Sequence, residues 1–68
     1  MNAEEMGATV ERRRKALGLG QEELAELSGV SVRFVRALEH GKATARLDKV
    51  LDLIAALGLE VDLRIRQQ

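Results

Sequence analysis

The sequence contains no cysteine, proline, tryptophan or tyrosine, and its single aromatic residue is Phe34. Without cysteine no disulfide can brace the fold, and one histidine, His40, is too few for a structural zinc site. A domain of 68 residues buries only about 60% of its unfolded surface and is therefore marginally stable. Oligomerisation is the remaining common source of stability for such a domain.

Long apolar runs are also missing. The longest covers seven residues, from Leu53 to Leu59, whereas a membrane helix needs about 20. The N-terminus does not follow the pattern of a signal peptide, in which a basic segment precedes an apolar one. We therefore expect one cytosolic domain with no membrane segment, and we predict no cofactor and no metal.

Acidic and basic residues are balanced at eleven each, but they are unevenly distributed. Residues 12–46 carry eight basic and four acidic side chains, a net charge of +4, and the flanks carry the compensating acid. A chain with segregated charge can still present a basic face to a polyanion.

Glycines and capping residues divide the chain into helices. Asn2 resembles the start of a capping box, Ser31 is a cap for a later helix, and Thr44 is a cap for the last one. The predicted helices cover residues 3–17, 21–28, 32 to 39 or 40, and 45–57.

Apolar residues recur at helical spacing in each of these segments and predict which side faces the core. Phe34 is expected to extend that core, and a contact with the fourth helix or with a DNA sugar is the alternative. The predicted inward residues are Met6, Val10, Leu17, Leu24, Leu27, Val35, Leu38, Leu47, Val50, Leu51, Ile54 and Leu57.

The end of the chain has a different pattern, because Leu59, Val61, Leu63 and Ile65 alternate with charged residues. Period two predicts a half-buried strand over residues 59–66. A lone strand is unstable, so we expect it to pair antiparallel with the same strand of a second copy. A frayed tail is the alternative. This divides the chain into a domain over residues 1–58 and a dimerisation strand and tail over residues 59–68.

Two short helices that meet at Gly29 are typical of a helix-turn-helix. The small Ala25 lies four residues before this glycine, where the helices would cross, and Val35 and Leu38 follow at core positions. The sequence resembles the XRE/Cro/C1 helix-turn-helix family in three segments that lie within residues 6–57: LGLGQEELA (17–25), SGVS (28–31) and LEHGK (38–42). The resemblance implies a mainly α, lambda-repressor-like domain of four to five helices. Together with the tail, the predicted fold is this domain followed by one C-terminal strand that is paired across a dimer.

The second helix of such a motif enters the major groove with its N-terminal residues against base edges. Arg33 can bind a guanine in bidentate fashion, whereas Arg36 could contact a base or a phosphate. A solvated helix face is the alternative for both arginines. The full set of predicted DNA-binding residues is Gln21, Ser31, Val32, Arg33, Arg36, Ala37, His40, Lys42, Thr44 and Arg46.

The resemblance implies particular roles at three of the positions in and around the motif. It implies that Gln21 contacts the DNA backbone. It also implies an ion pair between an arginine late in the first helix, Arg14, and the glutamate that precedes the loop, Glu39. We predict that this pair is partly buried, and that the neighbouring cations Arg12, Arg13 and Lys15 are solvated.

Two further segments, RLDKVL (46–51) and ALGLEV (56–61), resemble the HipB-like antitoxins of bacterial toxin–antitoxin operons. The resemblance implies a homodimer, joined through its C-terminal strands, that represses its own operon and binds a HipA-type kinase toxin. The predicted partners are thus double-stranded operator DNA, a second copy and a HipA-like toxin, in the cytoplasm at the nucleoid.

Two other functions fit the same sequence. One is a stand-alone XRE-type regulator without a toxin, and the other is a protein-interaction adaptor that has lost DNA binding. The basic residues of the third helix favour DNA over the adaptor. An enzyme is not expected, because the residues needed for acid–base or nucleophilic catalysis are not clustered.

Overall fold

The computed structural model describes residues 1–67, and these residues form four helices. They are α1 (Ala3–Ala16), α2 (Gln21–Ser28), α3 (Val32–Glu39) and α4 (Leu47–Ala56). Helix α2 packs against both α3 and α4, and α1 packs against α3. The mainly helical prediction with four helices is confirmed.

Side-chain caps fix the starts of α1 and α3. Asn2 Oδ1 accepts the backbone N–H of Glu5 at 2.8 Å, and Ser31 Oγ accepts the backbone N–H of Phe34 at 3.1 Å. Each cap satisfies a donor that the helix itself leaves unpaired. The caps predicted at Asn2 and Ser31 are confirmed.

The start of α4 differs from the prediction, which placed it two residues earlier with Thr44 as its cap. The helix begins at Leu47, after Arg46 in an extended conformation. The Asp48 carboxylate accepts the backbone N–H of Lys49 at 2.9 Å. Because this first-turn carboxylate satisfies a free donor of the helix, a Thr44 cap is not needed.

A single core joins the four helices. Phe34 is half-buried against this core, as the sequence predicts. The buried apolar residues of the core are Val10, Leu24, Ala25, Val35, Leu38, Val50, Leu53, Ile54 and Leu57.

Four leucines that were predicted to face inward are instead exposed: Leu17, Leu27, Leu47 and Leu51. Leu17 lies beyond the last turn of α1, and α2 buries its neighbouring positions at residues 24 and 25. In α4 the buried side is centred on residues 50, 53, 54 and 57. Leu53 was not predicted to be buried, but it is fully buried there. The predicted and the observed sets of inward residues both recur at helical spacing, so the spacing alone does not choose between them.

Helices α1 and α3 approach each other closely at Gly7, which is buried. A Cβ atom at this position would lie 2.8 Å from the carbonyl oxygen of Glu39 and closer still to that of Leu38. Only glycine therefore fits this contact without a shift of the backbone.

The strand predicted over residues 59–66 does not form in the single chain, where residues 59–67 are neither helix nor strand. Leu59 packs against the core, but Leu63 and Ile65 are 91% and 96% exposed. A strand needs a hydrogen-bonded neighbour. The rest of the described chain is helical or forms turns, so it supplies none.

Candidate nucleic-acid interface

The turn between α2 and α3 is built around Gly29. This residue has a φ of +72°, a left-handed conformation that favours glycine. The backbone N–H of Val30 returns to the carbonyl of Ala25 at 3.0 Å. This closed turn places Ser31 at the start of α3 and holds the two helices in fixed relation.

The end of α3 is closed in the same way at Gly41, whose φ is +85°. The backbone N–H of Gly41 donates to the carbonyl of Leu38, and that of Lys42 donates to the carbonyl of Ala37, both at 3.0 Å. These paired bonds turn the chain back at the helix end. Lys42 is thereby held beside α3.

A groove of about 270 Å³ lies beside α3, between this helix, the following loop and the start of α4. Four basic residues line it, and among the described residues that do so none is acidic. The structure thus brings six of the predicted DNA-binding residues to one groove: Ser31, Arg33, Ala37, Lys42, Thr44 and Arg46.

The fourth basic residue of the groove, Lys49, was not predicted. In the helix predicted over residues 45–57 it lies three residues after Arg46, and residues three apart in a helix share a face. That spacing could have identified Lys49 once Arg46 was a candidate. Together with Arg33 and Lys42, these residues surround the groove with positive charge.

Arg46 is not free of internal contacts. Its guanidinium donates to both carboxylate oxygens of Asp48, at 2.6 and 3.1 Å. The hydrogen bond from Arg46 is the main cause that lowers the pKa of Asp48. Both side chains are largely exposed, at 69% and 62%, so solvent and salt weaken this pair.

Four predicted residues lie outside the groove. Arg36 is exposed, and its Nε donates to Gln21 Oε1 at 3.2 Å. His40 Nδ1 donates to the backbone carbonyl of Arg36 at 2.7 Å. Val32 is half-buried and packs against the core. These contacts tie Gln21, Arg36 and His40 to one another rather than to the groove.

Arg14 and Glu39 form a buried ion pair, with side chains that are 9% and 1% exposed. Arg14 donates through Nε to Glu39 Oε2 at 2.7 Å and through Nη2 to Oε1 at 3.0 Å. Its Nη1 donates to the carbonyl of Leu19 at 2.9 Å, and Gln21 Nε2 donates to Glu39 Oε1 at 3.0 Å. The pair therefore joins α1 to the end of α3 and to the start of α2.

Burial, hydrogen bonds and neighbouring charges set the pKa values of Arg14 and Glu39. Burial raises the pKa of Glu39, but hydrogen bonds from Arg14 and Gln21 and the charges of Arg14 and Lys15 outweigh it. The pKa of Glu39 is therefore below its ordinary value. The hydrogen bond to Glu39 raises the pKa of Arg14 despite burial. Both groups are charged at neutral pH.

Arg13 is exposed, as predicted, but its guanidinium also makes a contact within the fold that was not predicted. Its Nε donates to the carbonyl of Leu57 at 2.9 Å. That carbonyl belongs to the C-terminal cap of α4, where free acceptors and the helix dipole favour a cation. Arg13 therefore holds the end of α4 against α1.

Within residues 1–67, no three histidine, cysteine or acidic side chains lie close enough to hold a metal ion. The helices of this part of the chain are also too short or too polar to cross a bilayer.

Comparison with known sequences identifies relatives of this fold. The sequence profile of the HTH_3 helix-turn-helix family matches residues 10–63. An uncharacterized HTH-type transcriptional regulator of Sinorhizobium fredii (strain NBRC 101917 / NGR234), y4mF, is 44% identical over 59 residues. That alignment covers 87% of this chain and 78% of the relative. The profile match includes α2, α3 and the whole basic groove.

Proposed function

The chain belongs to the HTH_3 helix-turn-helix family of transcriptional regulators, and we propose that it is a repressor that binds specific DNA sequences through α3. The observation that carries this proposal is the groove beside α3, lined by Arg33, Lys42, Arg46 and Lys49. Cations that neutralise phosphates supply a large share of the affinity of such a protein for DNA.

Each residue of the groove has a proposed role. Arg33 lies in the first turn of α3, the part of a recognition helix that meets base edges, and there it binds a guanine. Ala37 offers a methyl group to a thymine. Ser31, Thr44 and the basic residues Lys42, Arg46 and Lys49 bind phosphates, which set the register of the protein on the duplex.

The test begins with a DNA duplex that the wild-type protein enriches from a random pool, compared with a scrambled duplex. We expect the logarithm of the binding constant to fall linearly with the logarithm of the salt concentration, at about 0.9 per phosphate contacted. Arg33→Ala should weaken selected binding by about 1–3 kcal/mol and reduce the preference over the scrambled duplex. Arg12→Ala, on α1 away from the groove, is the matched control and should bind as the wild type does. Affinity that does not respond to salt would contradict the proposal.

We also propose that the protein acts as a homodimer joined through residues 59–66. One copy leaves Leu47, Leu51, Leu63 and Ile65 exposed. Antiparallel pairing of two tails would give each strand the neighbour that it lacks, and it would place acidic residues 60 and 62 of one copy near arginines 64 and 66 of the other. A two-fold dimer also matches half-sites about 34 Å apart on DNA.

Sedimentation of single-residue variants tests this interface. Leu63→Asp and Ile65→Asp should each shift the protein towards a monomer and weaken binding to the selected duplex. Leu27→Asp changes an equally apolar exposed residue on α2, away from the tail, and should remain a dimer. A protein that lacks residues 59–68 and still sediments as a dimer would place the interface elsewhere.

The most specific part of the proposal is that the protein is a HipB-like antitoxin, which represses its own operon at the nucleoid and neutralises a HipA-type kinase. It is supported by the resemblance of residues 46–61 and by the alternating tail. The test is to express the kinase-like reading frame beside its gene with and without this protein, and to measure growth. Without such a reading frame, or without rescue of growth, a stand-alone regulator is the better description. A protein that binds neither duplex is better described as an adaptor.

A further inference from the structure

Gln21 connects an exposed arginine of α3 to the buried ion pair. Its Oε1 accepts Nε–H of Arg36 at 3.2 Å, and its Nε2 donates to Glu39 Oε1 at 3.0 Å. Glu39 is held in turn by two hydrogen bonds from Arg14. A continuous chain of hydrogen bonds therefore runs from the surface of α3, through the first residue of α2, to α1.

The chemistry of its two neighbours fixes the orientation of the Gln21 amide. A carboxylate oxygen only accepts hydrogen bonds and a guanidinium only donates them. The amide nitrogen must therefore face Glu39, and the amide oxygen must face Arg36. Rotation of the amide by half a turn would break both bonds, so the buried Glu39 sets the position of the oxygen that holds Arg36.

We propose that Gln21 is a positioning residue that directs Arg36 to a DNA phosphate rather than to a base. The inference rests on the proposed DNA binding. In helix-turn-helix complexes the first helix crosses the sugar–phosphate backbone, and the N-terminal residues of the second contact base edges. Arg36 is beyond the first turn of α3 and is bound to the first residue of α2. It is therefore held on the backbone side, whereas Arg33 lines the basic groove.

The bond to Gln21 leaves Arg36 able to bind DNA. It uses only Nε, and in the part of the chain that the structure describes Nη1 and Nη2 of Arg36 have no hydrogen-bond partner. Two N–H groups of a guanidinium can bind two oxygens of one phosphate. A side chain that is restrained before binding also loses less conformational entropy when the complex forms.

The first experiment follows the arginine Nε–H signals of the free protein by NMR. We expect slow solvent exchange for Arg36 Nε–H in the wild type and fast exchange in Gln21→Ala. Exchange that is the same in both proteins would overturn the proposed contact. This measurement needs no DNA, so it is independent of the proposed function.

The second experiment measures affinity for the selected and the scrambled duplex over a range of salt concentrations. Arg36→Ala should weaken binding to both duplexes by the same factor and reduce the salt slope by about 0.9, as expected for one lost phosphate contact. Arg36→Lys keeps the charge on an exposed residue and should keep the salt slope. Arg33→Ala is the contrasting variant, because it should affect the selected duplex more than the scrambled one.

A double-mutant cycle shows whether Gln21 acts through Arg36. Gln21→Ala should weaken binding less in the Arg36→Ala background than in the wild type, but should add to the effect of Arg33→Ala. Additive effects of the first pair would overturn the proposal. So would an Arg36→Ala variant that loses only its preference for the selected duplex, because that result assigns Arg36 to a base. If the wild type binds neither duplex, it is the proposed function that fails.

Discussion

Replacement of Glu39 by alanine should remove a large part of the stability of this domain. The carboxylate is 1% exposed and accepts two hydrogen bonds from Arg14 and one from Gln21. In Glu39→Ala the guanidinium of Arg14, itself 9% exposed, becomes a buried charge without its counterion. Loss of one partner of a buried pair costs about 3–5 kcal/mol.

This cost is large relative to the total free energy of unfolding of the domain. A folded domain is stabilised by about 0.05–0.15 kcal/mol per residue, which for 68 residues amounts to about 3–10 kcal/mol. Urea unfolding followed by circular dichroism should therefore show a midpoint lowered by more than about 1 M, or no folded baseline at all. A loss below about 1 kcal/mol, the value typical of an exposed pair, would refute this reasoning.

Two further variants separate the lost charge pair from other effects of the substitution. Asp48→Asn breaks the exposed pair with Arg46 and should leave the midpoint nearly unchanged, because solvent already screens that pair. The double variant Arg14→Met with Glu39→Leu removes both charges and keeps apolar volume, so it should recover much of the stability that Glu39→Ala loses.

Three other predictions follow from the same contacts. Because folding lowers the pKa of Glu39 from its ordinary value of 4.5, the stability from this group is complete above that value and declines as the pH falls towards the folded pKa. Unfolding measured over a range of acidic pH should show this decline, and the same dependence of stability on pH in a folded Glu39 variant would contradict it. Gly7→Ala should lower the free energy of unfolding by about 1–3 kcal/mol, because the added methyl group overpacks α1 against α3. Ala8→Ser, on the exposed side of α1, should unfold as the wild type does. Equal melting curves for the two variants would disprove the close contact. Asp48→Asn should raise affinity for DNA, because it frees Arg46 in the groove, and anisotropy titrations that show weaker binding would contradict this.

The helix ends could be predicted because their signals are local. Asn2 and Ser31 cap their helices through bonds that span three residues, and the turn at Gly29 needs only its own left-handed φ. The start of α4 was misplaced because Thr44 and Asp48 are both acceptable residues near a helix N-terminus. A sequence pattern does not rank two such local options against each other.

The parts of the site that were missed depend on contacts far apart in sequence. Arg13 and Leu57 are 44 residues apart, and the clash that makes Gly7 necessary comes from the backbone of α3. Gln21 was predicted to contact DNA, and its bonds to Arg36 and Glu39, which were not predicted, span 15 and 18 residues. No periodicity within one helix contains this information.

The apolar face of α4 links these errors to the proposed assembly. Its apolar residues cover a wider arc than one core can bury, because Val50, Leu53 and Ile54 face α2 and the interior while Leu47 and Leu51 stay exposed. A helix that is apolar over more than one face is normally covered on both. Apolar residues beyond those that the core buries also occur in the tail, where residues 59–67 have no strand to pair with among the described residues. Exposed apolar residues on α4 and an unpaired alternating tail are both explained if a second copy covers them, whereas a frayed tail explains neither the alternation nor the exposed leucines.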